Sequence, residues 1–84
     1  MQYVEFRKSF GEKYAEFARE NNLCDVNFED DLMEKGMDSF KYISFLIYLE
    51  ELYGVSFDDT FFLLRKMYTL DKLANFVWEL VEKK

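Results

Sequence analysis

Aromatic side chains recur at steps of three and four at the head of the chain: Tyr3, Phe6, Phe10, Tyr14 and Phe17. A strand would place every second residue on one face. This spacing instead puts all five rings on one face of a helix with about 3.6 residues per turn, over roughly residues 2–20. Gly11 inside it costs some helix propensity, and Asn21-Asn22 is the expected stop. The chain has no proline and three glycines, Gly11, Gly36 and Gly54, so little interrupts helices further on. Its 84 residues make a single domain over 1–84. So small a domain has little interior and must fill it with large side chains. Ten Phe and six Tyr, in a chain that is 50% apolar, do so and argue against disorder.

Residues 22–37 show no sustained period and read as a long loop pinned by Leu23, Phe28, Leu32 and Met33. A loop that long in a small domain is either functional or packed by its own side chains. Gly36 is expected to take a positive φ there, and Met37 to pack the loop. A second helix is predicted to run from Asp38 or Ser39 to just before Gly54. Asp38 suits the N-cap and Gly54 the position past the C-terminus. A short helix follows over 58–67. Thr69 then caps a last helix with Asp71 in its first turn and Lys83 and Lys84 at its end, signs that match the helix dipole. Leu70, Leu73, Ala74, Val77 and Leu80 or Val81 form its apolar face. The expected fold is all-α: a four-helix bundle with a long first loop and a short third helix.

The net charge of −6 disfavours nucleic acid, since phosphate binding needs clustered Lys and Arg, and suits partners with basic docking patches. Histidine is absent, which excludes histidine triads and His-ligated metal sites. Cys24 is the one cysteine, so no disulfide closes within the chain. It reads as a small buried hydrophobe with no assigned role. Reduced cysteine, no signal-peptide layout in MQYVEFRKSF and no apolar run of about 20 residues lead us to expect a cytoplasmic protein without a membrane span. A monomer is expected. The acidic run Glu29-Asp30-Asp31 lacks the alternating ligands and central glycine of a calcium loop and reads as solvated.

The second helix carries one apolar face more than a core helix needs. With Ser39 at 0° and about 100° per residue, Tyr42, Phe45, Leu46, Leu49, Leu52 and Tyr53 fall between about 220° and 340°, the expected core face. Phe40, Ile43 and Ile47 fall between about 40° and 100°, beside Ser39 and flanked by Ser44, Glu50 and Glu51. Either the short helix or the long loop covers this second stripe, or it is a docking surface rimmed by charge.

The run Asp31-Leu32-Met33-Glu34-Lys35-Gly36-Met37-Asp38-Ser39-Phe40 resembles the attachment motif of acyl and peptidyl carrier proteins, Asp-Leu, a loop, then Gly-x-Asp-Ser and a large apolar residue. Leu49-Glu50-Glu51-Leu52-Tyr53-Gly54-Val55 looks like the end of that family's second helix, and Tyr68-Thr69-Leu70 like the start of its last. The likeness covers roughly residues 28–82. It implies that a phosphopantetheinyl transferase moves 4′-phosphopantetheine from coenzyme A onto Ser39, with Asp38 supporting the modification as well as capping the helix. It implies a non-catalytic carrier, acted on by adenylating or acyl-loading enzymes and by downstream transfer or condensing enzymes. By the same resemblance, Phe40, Ile43, Ser44, Ile47, Glu50 and Glu51 fall where relatives touch partner enzymes. That tips the reading of the stripe towards docking.

The chain also departs from that family. Lys41 and Ser44 stand where fatty-acid carriers usually have acids, Val55-Ser56-Phe57-Asp58-Asp59 has no proline, and Thr60–Met67 is longer and greasier than usual. These differences favour a free-standing carrier of acyl or aminoacyl thioesters in a specialised peptide- or polyketide-type pathway. A D-alanine carrier, a fatty-acid carrier and an unmodified helical protein–protein adaptor stay open as alternatives. The Phe and Leu side chains of 58–67 suit ordinary core packing better than a shelter for the cargo.

Overall fold

The computed structural model describes residues 2–57 and 68–83, and every regular element among them is an α-helix. The elements are α1 (Tyr3–Glu20), α2 (Ser39–Tyr53) and α3 (Leu70–Glu82). The short helix expected over 58–67, with any cargo shelter it would form, lies outside the described residues, as does Lys84.

The aromatic period of α1 becomes the wall of the core. Phe6, Phe10, Tyr14 and Phe17 are buried, Ala18 with them, and Tyr3 packs against their edge. The helix ends where Asn21-Asn22 was expected to stop it. Asn22 takes a φ of 56°, a left-handed conformation that asparagine tolerates, and the Leu23 amide reaches back to the Ala18 carbonyl at 2.8 Å. The Asn21 side-chain amide donates to the Phe17 carbonyl at 2.9 Å, satisfying another carbonyl of the last turn.

Phe45 joins α2 to α1. It is fully buried, and its ring lies 6.2 Å from that of Phe10, 5.4 Å from Tyr14 and 5.1 Å from Phe17, between centroids. Such ring pairs contribute beyond their buried area. Tyr42, Leu46 and Leu49 complete the buried face of α2. Leu52 does not belong to it, contrary to the wheel: it is 39% exposed. It sits at about 220°, the outer edge of the expected arc. Tyr53, in the last turn, is half-buried against Phe6, 5.2 Å between centroids.

α3 begins on Thr69, whose hydroxyl accepts from the Lys72 amide at 3.2 Å, and buries Leu70, Leu73, Ala74 and Val77. Leu80 and Val81 are half-buried, and Lys83 is the C-cap. Trp78 lies 5.0 Å from Phe6 and 5.7 Å from Tyr3 and closes α3 onto α1.

The long connection is pinned as expected, with Leu32 fully buried and Leu23, Phe28 and Met33 packed at the core's edge. Its backbone is tied to the approach to α3. The Leu32 amide donates to the Tyr68 carbonyl at 2.7 Å, and the Asp71 amide to the Phe28 carbonyl at 3.1 Å. Phe28 also accounts for Gly11. A Cβ at Gly11 would stand 3.0 Å from the Phe28 ring, so the glycine makes room for the loop to lie on α1. Arg7 holds the same ring, its guanidinium 3.9 Å from the Phe28 ring centre and 3.2 Å from the Asp71 carboxylate.

Candidate functional site at the head of α2

The segment before α2 is built to present Asp38 and Ser39. Asp31 Oδ1 accepts from the Met33 amide at 2.8 Å and makes a tight turn. The turn drives Leu32 into the core, and the Leu32 carbonyl accepts from the amides of Lys35 and Met37, each at 3.1 Å. Gly36 follows with a φ of 102°. A Cβ there would meet nothing within 4 Å, so the backbone conformation alone calls for glycine. Met37 is 3% exposed and is the second plug. With Leu32 and Met37 both directed inward, the next two residues emerge on the surface, and Asp38 and Ser39 are exposed.

Asp38 is the N-cap, its Oδ1 accepting from the Lys41 amide at 2.8 Å and its carbonyl from Tyr42 at 2.9 Å. Ser39 is the first residue of the helix. The amides of Ser39 and Phe40 have no hydrogen-bond partner among the described residues, the ordinary condition of a helix N-terminus. A phosphodiester on Ser39 would therefore join a solvent-facing hydroxyl beside free amides and the positive end of the helix dipole. The residues present fit that group.

The second apolar stripe is on the surface. Phe40 is 85% exposed, Ile43 41% and Ile47 45%, with Ser44 and Glu51 exposed alongside. Glu50 differs from its neighbours. It is half-buried, and its Oε2 accepts from the Phe57 amide at 2.8 Å. Lys41 is likewise committed, its Nζ donating to the Asn21 carbonyl at the end of α1 at 3.1 Å. Neither tie is visible in the sequence, because each joins a side chain to a distant backbone group, which no residue pattern marks.

Cys24 is exposed, not buried as expected, and its Sγ donates to the Lys35 carbonyl at 3.2 Å. The loop's inward positions are taken by Leu32 and Met37, which leaves Cys24 on the outer run. Within the acidic stretch, Asp30 Oδ2 accepts from the Asn27 amide at 2.8 Å and Asp31 shapes the turn described above. No group of three or more His, Cys, Asp or Glu side chains among the described residues is placed to hold a metal ion. No described helix is long and apolar enough to cross a membrane.

Two shallow hollows lie along α1. One of about 410 Å³ is lined by Glu12, Ala15, Glu16, Arg19 and Asp25. The other, of about 430 Å³, is lined by Tyr3, Val4, Arg7, Lys8 and Phe28. Ser39 lines neither hollow and stands exposed at the head of α2. Compared with family models, with curated proteins and with solved structures, the chain finds no match.

Proposed function

We propose that the protein is a thiol-template carrier of the acyl and peptidyl carrier class, modified with 4′-phosphopantetheine on Ser39. The observation that carries this reading is the exposed serine at the first position of α2, delivered by an Asp-Leu turn, a left-handed glycine and an Asp N-cap, beside the exposed stripe Phe40–Ile43–Ile47. The fold that goes with it is a four-helix bundle, with a short third helix over 58–67.

When bound, the phosphopantetheine arm supplies a terminal thiol that holds an acyl or aminoacyl group as a thioester. The chain's own residues do simpler work. Ser39 offers its hydroxyl oxygen as the point of attachment. Its proton leaves to the transferase as the Oγ–P bond forms, and adenosine 3′,5′-bisphosphate departs from coenzyme A. Asp38 holds the first turn in shape. The stripe gives partner enzymes a surface to grip. The departures noted at Lys41, Ser44 and 55–59 favour a specialised peptide- or polyketide-type pathway over primary fatty-acid synthesis.

Intact mass after incubation with coenzyme A and a broad-specificity phosphopantetheinyl transferase tests the reading. The wild type is expected to gain one phosphopantetheine and Ser39→Ala none. A folded wild type that gains nothing overturns the carrier reading and leaves the exposed stripe as the surface of an unmodified adaptor.

A further inference from the structure

A cation in the first turn of a helix faces the positive end of that helix's dipole, an unfavourable place for it. Lys41 is the third residue of α2, and what offsets this is the end of another helix. Its Nζ donates to the Asn21 carbonyl at 3.1 Å, at the C-cap and negative end of α1. That end of α1 is firmly built. The Asn21 amide reaches the Phe17 and Ala18 carbonyls, the Asn21 side chain donates to Phe17, and the Leu23 amide returns to Ala18. The Asn21 carbonyl is the acceptor that none of these donors uses. The Lys41 backbone is engaged too, its amide donating to Asp38 Oδ1 at 2.8 Å. One residue thus joins the cap of α2 to the end of α1. With Ser39 at 0°, Lys41 falls at about 200°, so it works from the side of the helix away from the serine.

We propose that Lys41 is a positioning residue for the modification of Ser39: its ammonium moors the first turn of α2 to the end of α1, so that Ser39 meets the transferase on a helix head already formed. This rests on the carrier reading and adds a residue outside the docking stripe on which presentation of Ser39 depends. Met37 and Tyr42 are buried, and between them Asp38, Ser39 and Phe40 are exposed and Lys41 half-buried. Helix ends without packing fray. What holds this span is the Asp38 cap, the bond from the Tyr42 amide to the Asp38 carbonyl, and the Lys41 mooring. Among the described residues, the mooring is the one of these that reaches another helix. A head that is formed for only part of the time binds its enzyme more weakly by that fraction, whereas the bound complex reacts as before. Loss of the mooring therefore belongs in KM and not in kcat.

The test uses the full chain, coenzyme A and a broad-specificity phosphopantetheinyl transferase. Modification at Ser39 is followed by mass, and amide hydrogen exchange by NMR. Lys41→Met keeps the apolar stem and drops the cation. It is expected to raise KM for the carrier about fivefold with kcat within about twofold of wild type. Exchange of the Tyr42 amide is expected to quicken about fivefold, while the Phe10 and Tyr14 amides of α1 stay within about twofold. Lys41→Arg keeps a cationic donor and is expected to restore KM and Tyr42 exchange. A wild-type KM in Lys41→Met overturns the inference and leaves the carrier reading intact. So does a fall in kcat at unchanged KM, which would give Lys41 a part in the bound complex. A raised KM with unchanged Tyr42 exchange also overturns it, by making Lys41 a contact of the transferase. Faster exchange in α1 and α2 alike would make the role one of overall stability and overturns it too. A folded wild type that gains no phosphopantetheine overturns the carrier reading and this inference with it.

Discussion

The Glu50 carboxylate accepts the Phe57 amide at 2.8 Å, so an acid on the Ser39 side of α2 holds the chain that leaves the same helix. The Glu50 carbonyl adds to this by accepting from the amides of Gly54 and Val55, around the left-handed turn at Gly54. Val55 and Phe57 are thereby held in the core, Phe57 with its ring 5.7 Å from that of Phe76 on α3. Glu50 is thus part of what positions the exit from α2.

Removing that acceptor should therefore destabilise the fold. Glu50→Ala removes the carboxylate that accepts from the Phe57 amide in a partly buried setting and is expected to cost about 1–3 kcal/mol in denaturant unfolding. Glu50→Gln keeps an acceptor oxygen and is expected to lose less than half as much. Equal losses would mean that charge matters here and hydrogen bonding does not. No loss in either would remove Glu50 from the structural account and return it to the docking face.

Asp38 has two candidate roles that one pair of variants separates. The cap bond to Lys41 predicts that Asp38→Ala loses about 1 kcal/mol of stability. Asp38→Asn keeps a capping oxygen and should remain within about 0.5 kcal/mol of wild type. If the carboxylate also assists the transferase, Asp38→Asn is modified at Ser39 more slowly despite that stability. Wild-type modification of Asp38→Asn would leave Asp38 the cap role alone.

How far the sequence can be read depends on the range of the interactions. The helix α1, its stop at Asn21-Asn22, and the bounds of α2 at Asp38 and Gly54 were all legible. Each is written in ring spacing or in residues with a local conformational preference. The pins Leu23, Phe28, Leu32 and Met33, and Met37 as a residue that packs the loop, were legible because large apolar side chains seek the interior. Leu52 was misplaced because a helical wheel cannot say how wide a strip the neighbouring helix covers. Cys24 was misplaced because residue type alone says nothing about which way a loop turns. The ties from Lys41 to Asn21 and from Glu50 to Phe57 were out of reach for a related reason. They depend on where the backbone of another segment runs, and backbone groups look alike in every residue.

Three tyrosines in and around the core, Tyr14, Tyr48 and Tyr53, are expected to weaken the fold at alkaline pH. Burial raises Tyr14 above the ordinary value of 10.0, with Cys24 and Asp25 adding to the shift. Tyr48 is raised by burial and then by Glu16 and Glu20, and Tyr53 chiefly by burial. A phenol whose pKa is higher folded than unfolded keeps its proton longer in the native state, so the unfolded chain binds fewer protons above about pH 10 and gains relative stability there. Denaturant midpoints should be flat with respect to these groups below about pH 9 and fall as pH rises through the folded values. Tyr14→Phe has no phenol to ionise and gives up only a 3.4 Å bond to the Cys24 carbonyl, so its fall above about pH 10 should be shallower than wild type. An identical alkaline slope in wild type and Tyr14→Phe would show that Tyr14 ionises alike folded and unfolded, and would place the alkaline limit elsewhere.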